Sequence, residues 1–274
     1  MSQYRGRQER TSVCRVRPKK RLGQHFLTDR TYARRIAESV PAEPHAHVLE
    51  IGAGTGALTM PLVRRFPALH CVEMDSEAVA ALRGTPAEHP VVVHQADALT
   101  FDFAEAGFPL HVVGNLPYGV GARIIRKTFS YGSAISSVTF MVQREVAERI
   151  TARPHTKRSG FLTVFCGFFG APRILFHLPP GAFFPKPKVA SSVFQIMVRP
   201  EIDRILPPRD RAAFFALVDR GFRMRRKKLV NALADDGDKD RMGRGVREAG
   251  IDPNSRAEDL DVQQWLALYR SVAR

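Results

Sequence analysis

The sequence predicts an α/β protein, a Rossmann-like parallel sheet followed by a small C-terminal helical domain. Three observations point there. Apolar strand-like runs alternate with helical patterns from residue 47 to residue 142. A glycine-rich turn, Gly52-Ala53-Gly54-Thr55-Gly56, joins the first of those runs to the helix after it. Beyond residue 200 only helix signals remain. Such alternation implies parallel strands with helices on both faces, and ligands of such sheets bind beyond the carboxyl ends of the strands.

The elements follow in order. Thr28-Asp29 is an N-cap region before Tyr32, Ala33, Ile36, Ala37 and Val40, which sit at helical spacing until Pro41 and Pro44 end the helix. Residues 47–51 read as a buried strand and residues 58–66 as the helix after its turn. Residues 69–73 give a second strand, 78–82 a helix core, 91–95 a third strand and 110–114 a fourth. A helix over 123–129 leads to a fifth strand at 137–142. Residues 171–178 and 192–198 read as strands with no clear helix between them, which suits an antiparallel hairpin added to the sheet edge. Helices are predicted at 212–222, 227–233, 242–249 and 262–272. The expected organisation is a basic arm over residues 1–21, a ligand-binding domain over 22–200 and a helical domain over 201–274.

A chain of 274 residues can bury a sizeable core, and 44% hydrophobic content with scattered charge argues against wholesale disorder. No apolar run reaches the ~18–20 residues that a bilayer span requires, so no membrane partner is expected. The first 21 residues are basic and lack the apolar segment of a secretory signal, which favours a cytoplasmic location. Cys14, Cys71 and Cys166 show no metal-ligand spacing; they read as reduced thiols, and no metal is expected. Lys and Arg total 42 against 27 Asp and Glu, a net charge of +15. That excess attracts a polyanion, and nucleic acid is the expected partner of a chain taken by default as a monomer.

The turn is Gly-x-Gly-x-Gly, one residue shorter than the dinucleotide pattern, and it lacks the Gly-Lys-Ser/Thr ending of a phosphate loop. The shorter form, preceded here by Glu50, is typical of S-adenosylmethionine enzymes. Glu73 ends the second strand, where a carboxylate can accept both ribose hydroxyl hydrogens. Asp97, next to Ala98, ends the third and could accept from an adenine amino group; Asp75 reads as a surface or capping acid. Singly, each acid is an ordinary loop residue. Three successive strand ends delivering Gly, Glu and Asp read as a nucleoside site. The fourth strand ends in Asn115-Leu116-Pro117-Tyr118, an amide, a rigid turn and an aromatic face. A planar amino-bearing ring can be held there, so the pair of sites suggests an enzyme that modifies the exocyclic amine of a nucleobase.

With those motifs in place, the chain resembles the ribosomal RNA adenine N6-dimethyltransferases over nearly everything after the arm. Residues 21–27 (Arg-Leu-Gly-Gln-His-Phe-Leu) look like the family's opening motif, which closes over the methionine part of the cofactor. Residues 141–149 resemble its segment after the fifth strand, and residues 184–193 its Phe-x-Pro-x-Pro-Lys-Val-x-Ser motif. Asn-Leu-Pro-Tyr, the Val-Gln-Arg-Glu-Val-Ala-Glu-Arg run and Lys157-Arg158-Ser159-Gly160 resemble the small-subunit housekeeping branch. The macrolide-resistance (Erm-type) branch, which acts on a large-subunit adenine, usually shows Asn-Ile-Pro-Tyr/Phe. Two departures bear on substrate choice: Gly119 where Asn is usual, and Ala190 where Asp is usual.

The resemblance implies a class I methyltransferase sheet that uses S-adenosylmethionine. It implies dimethylation of two adjacent adenines in a hairpin loop near the 3′ end of small-subunit rRNA, in ribosome biogenesis. Large-subunit methylation giving antibiotic resistance is the alternative, and a non-catalytic ribosome-assembly factor is an alternative of another class. Cofactor residues would be His25, Leu27, Gly52, Gly54, Glu73, Asp97, Ala98 and Asn115. Asn115, Leu116, Pro117, Tyr118 and Phe184 would hold the target base. The densest cationic patch, Arg223, Arg225, Arg226, Lys227 and Lys228, would meet phosphates of rRNA or a ribosomal subunit precursor, with Arg123, Arg126 and Lys127 extending the track.

Overall fold

The structure, a computed structural model, describes residues 16–19, 23–234 and 238–273. The basic arm, with Cys14 and Arg21, lies outside the described residues apart from Val16, Arg17, Pro18 and Lys19, and so does Leu22 after it. In chain order the first elements are β1 (Phe26–Leu27), α1 (Arg30–Ser39), β2 (His47–Ile51), α2 (Thr59–Arg65), β3 (Leu69–Glu73), α3 (Ser76–Arg83) and β4 (Val92–Gln95). Then come β5 (Leu110–Asn115), α4 (Gly121–Phe129), β6 (Ile135–Gln143), α5 (Arg144–Ile150), α6 (Phe161–Phe169), β7 (Arg173–Leu178), β8 (Phe183–Phe184) and β9 (Ser191–Met197). The chain closes with α7 (Ile202–Ile205), α8 (Pro208–Arg223), α9 (Leu229–Leu233), α10 (Lys239–Glu248) and α11 (Val262–Val272).

Seven strands form the central sheet in the order β4-β3-β2-β5-β6-β9-β7. The five expected parallel strands pair as β3–β4, β2–β3, β2–β5 and β5–β6. The near-continuous apolar runs of β2, β3, β5 and β6 reflect burial on both faces, as at Val48, Leu49 and Ile51, while β4 at the sheet edge is more open. The expected antiparallel hairpin is present, with β9 seated against β6 and β7 on the edge. Asp29 caps α1 by accepting from the Thr31 and Tyr32 amides at 2.8 and 3.4 Å. A two-stranded sheet absent from the sequence expectation pairs Phe26 with Phe184 and Leu27 with Phe183, and so ties the amino-terminal segment to the loop before β9.

Three further helices, α5, α6 and the four-residue α7, lie outside the sequence expectation. The α6 sequence Phe-Leu-Thr-Val-Phe-Cys-Gly-Phe-Phe has no polar stripe because it is packed nearly all round. Phe165 meets Phe215 at 4.6 Å between centroids, Phe169 stacks on Phe129 at 4.5 Å and Phe168 meets Phe214 at 5.5 Å. Burial of each such ring contributes roughly 1.5–3 kcal/mol. The core thus runs without a break from Phe140 and Phe194 of the sheet to Trp265 of α11. It crosses the domain boundary expected before residue 201. Buried Arg211 of α8 reinforces that joint, pairing with Asp203, which also accepts from the Ser133 hydroxyl.

Candidate active site

A cleft of ≈ 730 Å³ opens at the carboxyl ends of β2, β3, β4 and β5, with Gly52, Gly54, Glu73, Asp97, Ala98 and Asn115 on its walls. Two glycines decide its shape. Gly54 has φ +54°, and a Cβ there would stand 3.0 Å from the Phe26 ring. Gly114 lets β5 approach β2: a Cβ there would lie 2.4 Å from the Ile51 carbonyl oxygen. Glu73 is only 6% exposed, and its carboxylate is fixed by the Gly54 amide at 2.9 Å and the Asp75 amide at 2.8 Å. Each oxygen keeps acceptor capacity for a diol. Asp97 is exposed, with one oxygen accepting the Leu99 amide at 2.9 Å. A glycine cradle that any side chain would fill, beside an immobilised carboxylate, fits a nucleoside-bearing cofactor.

The Leu27 side chain does not line the cleft. It is 5% exposed and packs in the core with Ala33 and Phe183, because successive residues of β1 point to opposite sides. Phe26 stands on the cleft wall instead. Glu50 lies buried behind the turn, accepting from Thr59 Oγ1 at 2.6 Å and Cys71 Sγ at 3.4 Å. Burial raises its pKa to about 7.

Asp75 caps α3 by accepting the Glu77 amide at 3.1 Å, as expected of a capping acid, but it is buried rather than on the surface. Lys19 Nζ sits 2.5 Å from its carboxylate and 3.1 Å from that of Glu77, and Gln24 Nε2 donates to Asp75 at 3.1 Å. Burial works against the charged form of Asp75, yet these partners hold its pKa below the ordinary value. Proximity in sequence gave no hint of this link, since Lys19 reads as one more charge of the arm.

The other end of the cleft is built from the end of β5, the turn after it, and contacts from the segment before β1, from β6 and from β9. Asn115 donates Nδ2 to the His25 carbonyl at 2.9 Å, which leaves its amide oxygen as an acceptor on the cleft wall. The Leu116 amide donates to the Met141 carbonyl at 3.0 Å, and the Gly121 amide to the Pro117 carbonyl at 2.9 Å, so the turn is rigid. Tyr118 shares a 3.0 Å hydrogen bond with Ser191 Oγ, and burial raises the pKa of its phenol, so the ring carries a neutral hydroxyl. His25 stacks on Tyr118, with ring centroids 5.1 Å apart. Phe184 is 62% exposed. No atom lies within 4 Å of a Cβ built on Gly119, so the usual Asn has room there.

The cationic patch divides. Arg225 is exposed but partly engaged: its Nη2 donates to the Lys157 and Ser159 carbonyls at 2.8 and 2.9 Å and to Glu258 at 2.7 Å. Three acceptors converge on one guanidinium nitrogen, making it a strut between loop and helical segment. Arg223 pairs with Asp219 at 2.8 Å, and Lys228 donates to Asn254 at 2.7 Å, both at the exposed surface. Arg226 and Lys227 are exposed as expected. Arg126 lies over the Phe161 ring at 5.1 Å and Lys127 over Tyr131 at 5.3 Å, while Arg123 is exposed. Among the described residues, no group of three or more His, Cys, Asp or Glu could hold a metal ion, and no helix is long and apolar enough to cross a membrane.

The sequence profile of the family "Ribosomal RNA adenine dimethylase" matches residues 15–274. The chain belongs to that family. Among its relatives, "Ribosomal RNA small subunit methyltransferase A" of Acinetobacter baylyi is 40% identical over 258 residues, covering 91% of this chain and 90% of the relative. The protein of the same name from Chromobacterium violaceum is 40% identical over 259 residues, covering 92% and 94%. Among solved structures, the 23S rRNA methyltransferase ErmE aligns with a TM-score of 0.67 at 25% identity, over 91% of this chain and all of that one (100%). A dimethyladenosine transferase from Plasmodium falciparum aligns at 0.73 with 20% identity, over 89% and 96%, and shows the shared fold. The sheet is that of a class I methyltransferase, as the resemblance implies.

Proposed function

We propose that this family member dimethylates N6 of two adjacent adenines in a hairpin loop near the 3′ end of small-subunit rRNA, with S-adenosylmethionine as methyl donor. The observation that carries the reading is the Asn115 amide, whose nitrogen is spent on the His25 carbonyl and whose oxygen is left for an incoming amine. When bound, the cofactor supplies an electrophilic methyl group on a sulfonium. Gly52, Gly54, Glu73, Asp97 and Ala98 would hold it, with the Glu73 carboxylate on the ribose.

Adenine N6 is a poor nucleophile because its lone pair is delocalised into the ring. Hydrogen bonds from its NH2 to Asn115 Oδ1 and the Leu116 carbonyl favour a pyramidal nitrogen whose lone pair points at the methyl group. Pro117 stiffens the turn, so both acceptors are preorganised. Tyr118 stacks on one face of the base, and Phe184 covers the other. No general base is needed, since the nitrogen becomes strongly acidic on methylation and gives its proton to water. Asn serves better than Asp here: it positions without titrating. An adenine in an RNA loop leaves its stack cheaply. Arg226 and Lys227 contact phosphates, and the relatives' names favour the small subunit over the large.

The test presents naked rRNA, immature small subunits and large-subunit rRNA in parallel with labelled cofactor, and maps the label. Label on two adjacent small-subunit adenines is expected. Label only in large-subunit rRNA would contradict the assignment, and RNA binding without label would favour an assembly factor.

A further inference from the structure

His25 joins three parts of the base corner through three different atoms. Its carbonyl oxygen accepts from Asn115 Nδ2 at 2.9 Å. Its ring stacks on Tyr118, with centroids 5.1 Å apart and planes inclined by 29°. Ring Nδ1 lies 2.7 Å from the Pro185 carbonyl oxygen, directly after Phe184. A carbonyl only accepts, so Nδ1 carries a proton and donates.

We propose that His25, beyond lining the cofactor cleft, is a positioning residue for the target adenine, and that it governs the second methyl transfer more than the first. The inference rests on the N6-adenine reading above. An amide can present either its oxygen or its NH2 to a ligand, and only the oxygen can accept from an amine. The His25 carbonyl settles that choice by engaging Nδ2. The carbonyl is itself held in place by the two ring contacts, to Tyr118 and to Pro185. The same ring covers one face of Tyr118, which reserves the opposite face for the base.

The two transfers make unequal demands. In each, the nitrogen lone pair forms the N–C bond, the C–S bond breaks with its electron pair left on sulfur, and one N–H proton passes to water. The first substrate amine has two N–H bonds for two acceptors, Asn115 Oδ1 and the Leu116 carbonyl. The monomethylated amine has one. When that single N–H is aimed at Asn115 Oδ1, an Asn115 amide free to turn its NH2 inward removes its hold, whereas the first substrate keeps a second N–H on the Leu116 carbonyl. Loosening His25 therefore penalises the second transfer selectively, and N6-monomethyladenine accumulates.

Three substitutions separate the contacts while keeping the backbone carbonyl. His25→Asn keeps a donor near the place of Nδ1 without the ring, His25→Phe keeps the ring without the donor, and His25→Ala removes both. RNA methylated at saturating cofactor is digested, and N6-monomethyladenosine and N6,N6-dimethyladenosine are quantified by mass spectrometry. Cofactor Kd is measured by calorimetry without RNA. With each variant held at cofactor concentrations well above its own Kd, His25→Ala is expected to raise the mono-to-dimethyl ratio roughly tenfold, the other two variants falling between. If His25→Ala does not fold, the Asn and Phe variants carry the same comparison. An unchanged ratio in variants that fold, or a defect fully restored by more cofactor, overturns the inference alone. Wild-type protein that methylates no rRNA adenine overturns the proposed function and this inference with it.

Discussion

Under the proposed function Glu73 and Phe184 serve opposite ends of one site, yet the first is 6% exposed and the second 62%. The cofactor end is held by contacts within the protein itself. Glu73 is fixed by two backbone amides, the glycine turn is locked by its φ angles, and Asp75 gathers Lys19 and Gln24 around the entrance. The base end is half a site. Asn115 is set by His25, but Phe184 stands open to solvent and Gly119 faces empty space. Charge follows the same division: the Glu73 and Asp97 carboxylates stand on the cleft walls, while Arg226 and Lys227 lie exposed on the helical segment. The lesson is that a small soluble cofactor needs a preassembled pocket. A base delivered by a folded RNA can bring part of its own enclosure.

Substitutions at the two ends should therefore fail in different ways. The largest effect is expected at Asn115→Ala, with kcat falling roughly 10²–10³-fold in single-turnover assays because the amine acceptor is gone. Turnover within twofold of wild type, roughly 0.4 kcal/mol, would refute the positioning role. Next comes Glu73→Ala. It leaves the Gly54 and Asp75 amides without their carboxylate and removes the ribose acceptor, so cofactor Kd should rise roughly 30–100-fold, about 2–3 kcal/mol. An unchanged Kd by calorimetry would remove Glu73 from the site.

Glu50→Gln probes the buried layer beneath the cofactor turn through stability. The folded-state pKa of Glu50 is raised from 4.5 to about 7, so the folded protein keeps a proton that the unfolded chain loses. Its contribution is fully present below the unfolded pKa and is lost as pH rises through about 7. From pH 5 to pH 8, urea unfolding should show wild type losing on the order of 2–3 kcal/mol relative to the Gln variant, which has no such proton to lose. Parallel curves for the two proteins would contradict the burial argument. Phe184→Ala should be mildest, raising KM for RNA roughly tenfold through lost stacking with cofactor Kd unchanged. A selective loss of cofactor affinity would place Phe184 at the wrong end.

Much of this was readable from residues alone, and the division again falls between the two ends. The parallel strands announce themselves because burial on both faces makes them continuously apolar, as at Val48, Leu49 and Ile51. Gly52, Glu73 and Asp97 could be ordered into a site because each ends a successive strand of one sheet. Helix α6 could not, since Phe165, Phe168 and Phe169 are buried on several sides and leave no amphipathic stripe. That the Leu27 side chain turns into the core while Phe26 takes the cleft side could not be read, because a two-residue strand gives no alternation. Arg225 looked like any member of a cationic run. Only tertiary structure brings the Lys157 and Ser159 carbonyls and Glu258 onto it. The Lys19–Asp75 pair spans 56 residues, and nothing local marks it.

The claim that the cofactor end is preassembled and separable from the base end can be measured directly. S-adenosylmethionine is titrated by calorimetry into RNA-free wild-type protein and into Asn115→Ala. Binding to both is predicted, with Kd values within roughly tenfold, ~1.4 kcal/mol, although turnover is lost in the variant. Cofactor binding that requires RNA, or that disappears with the Asn115 amide, would contradict the account.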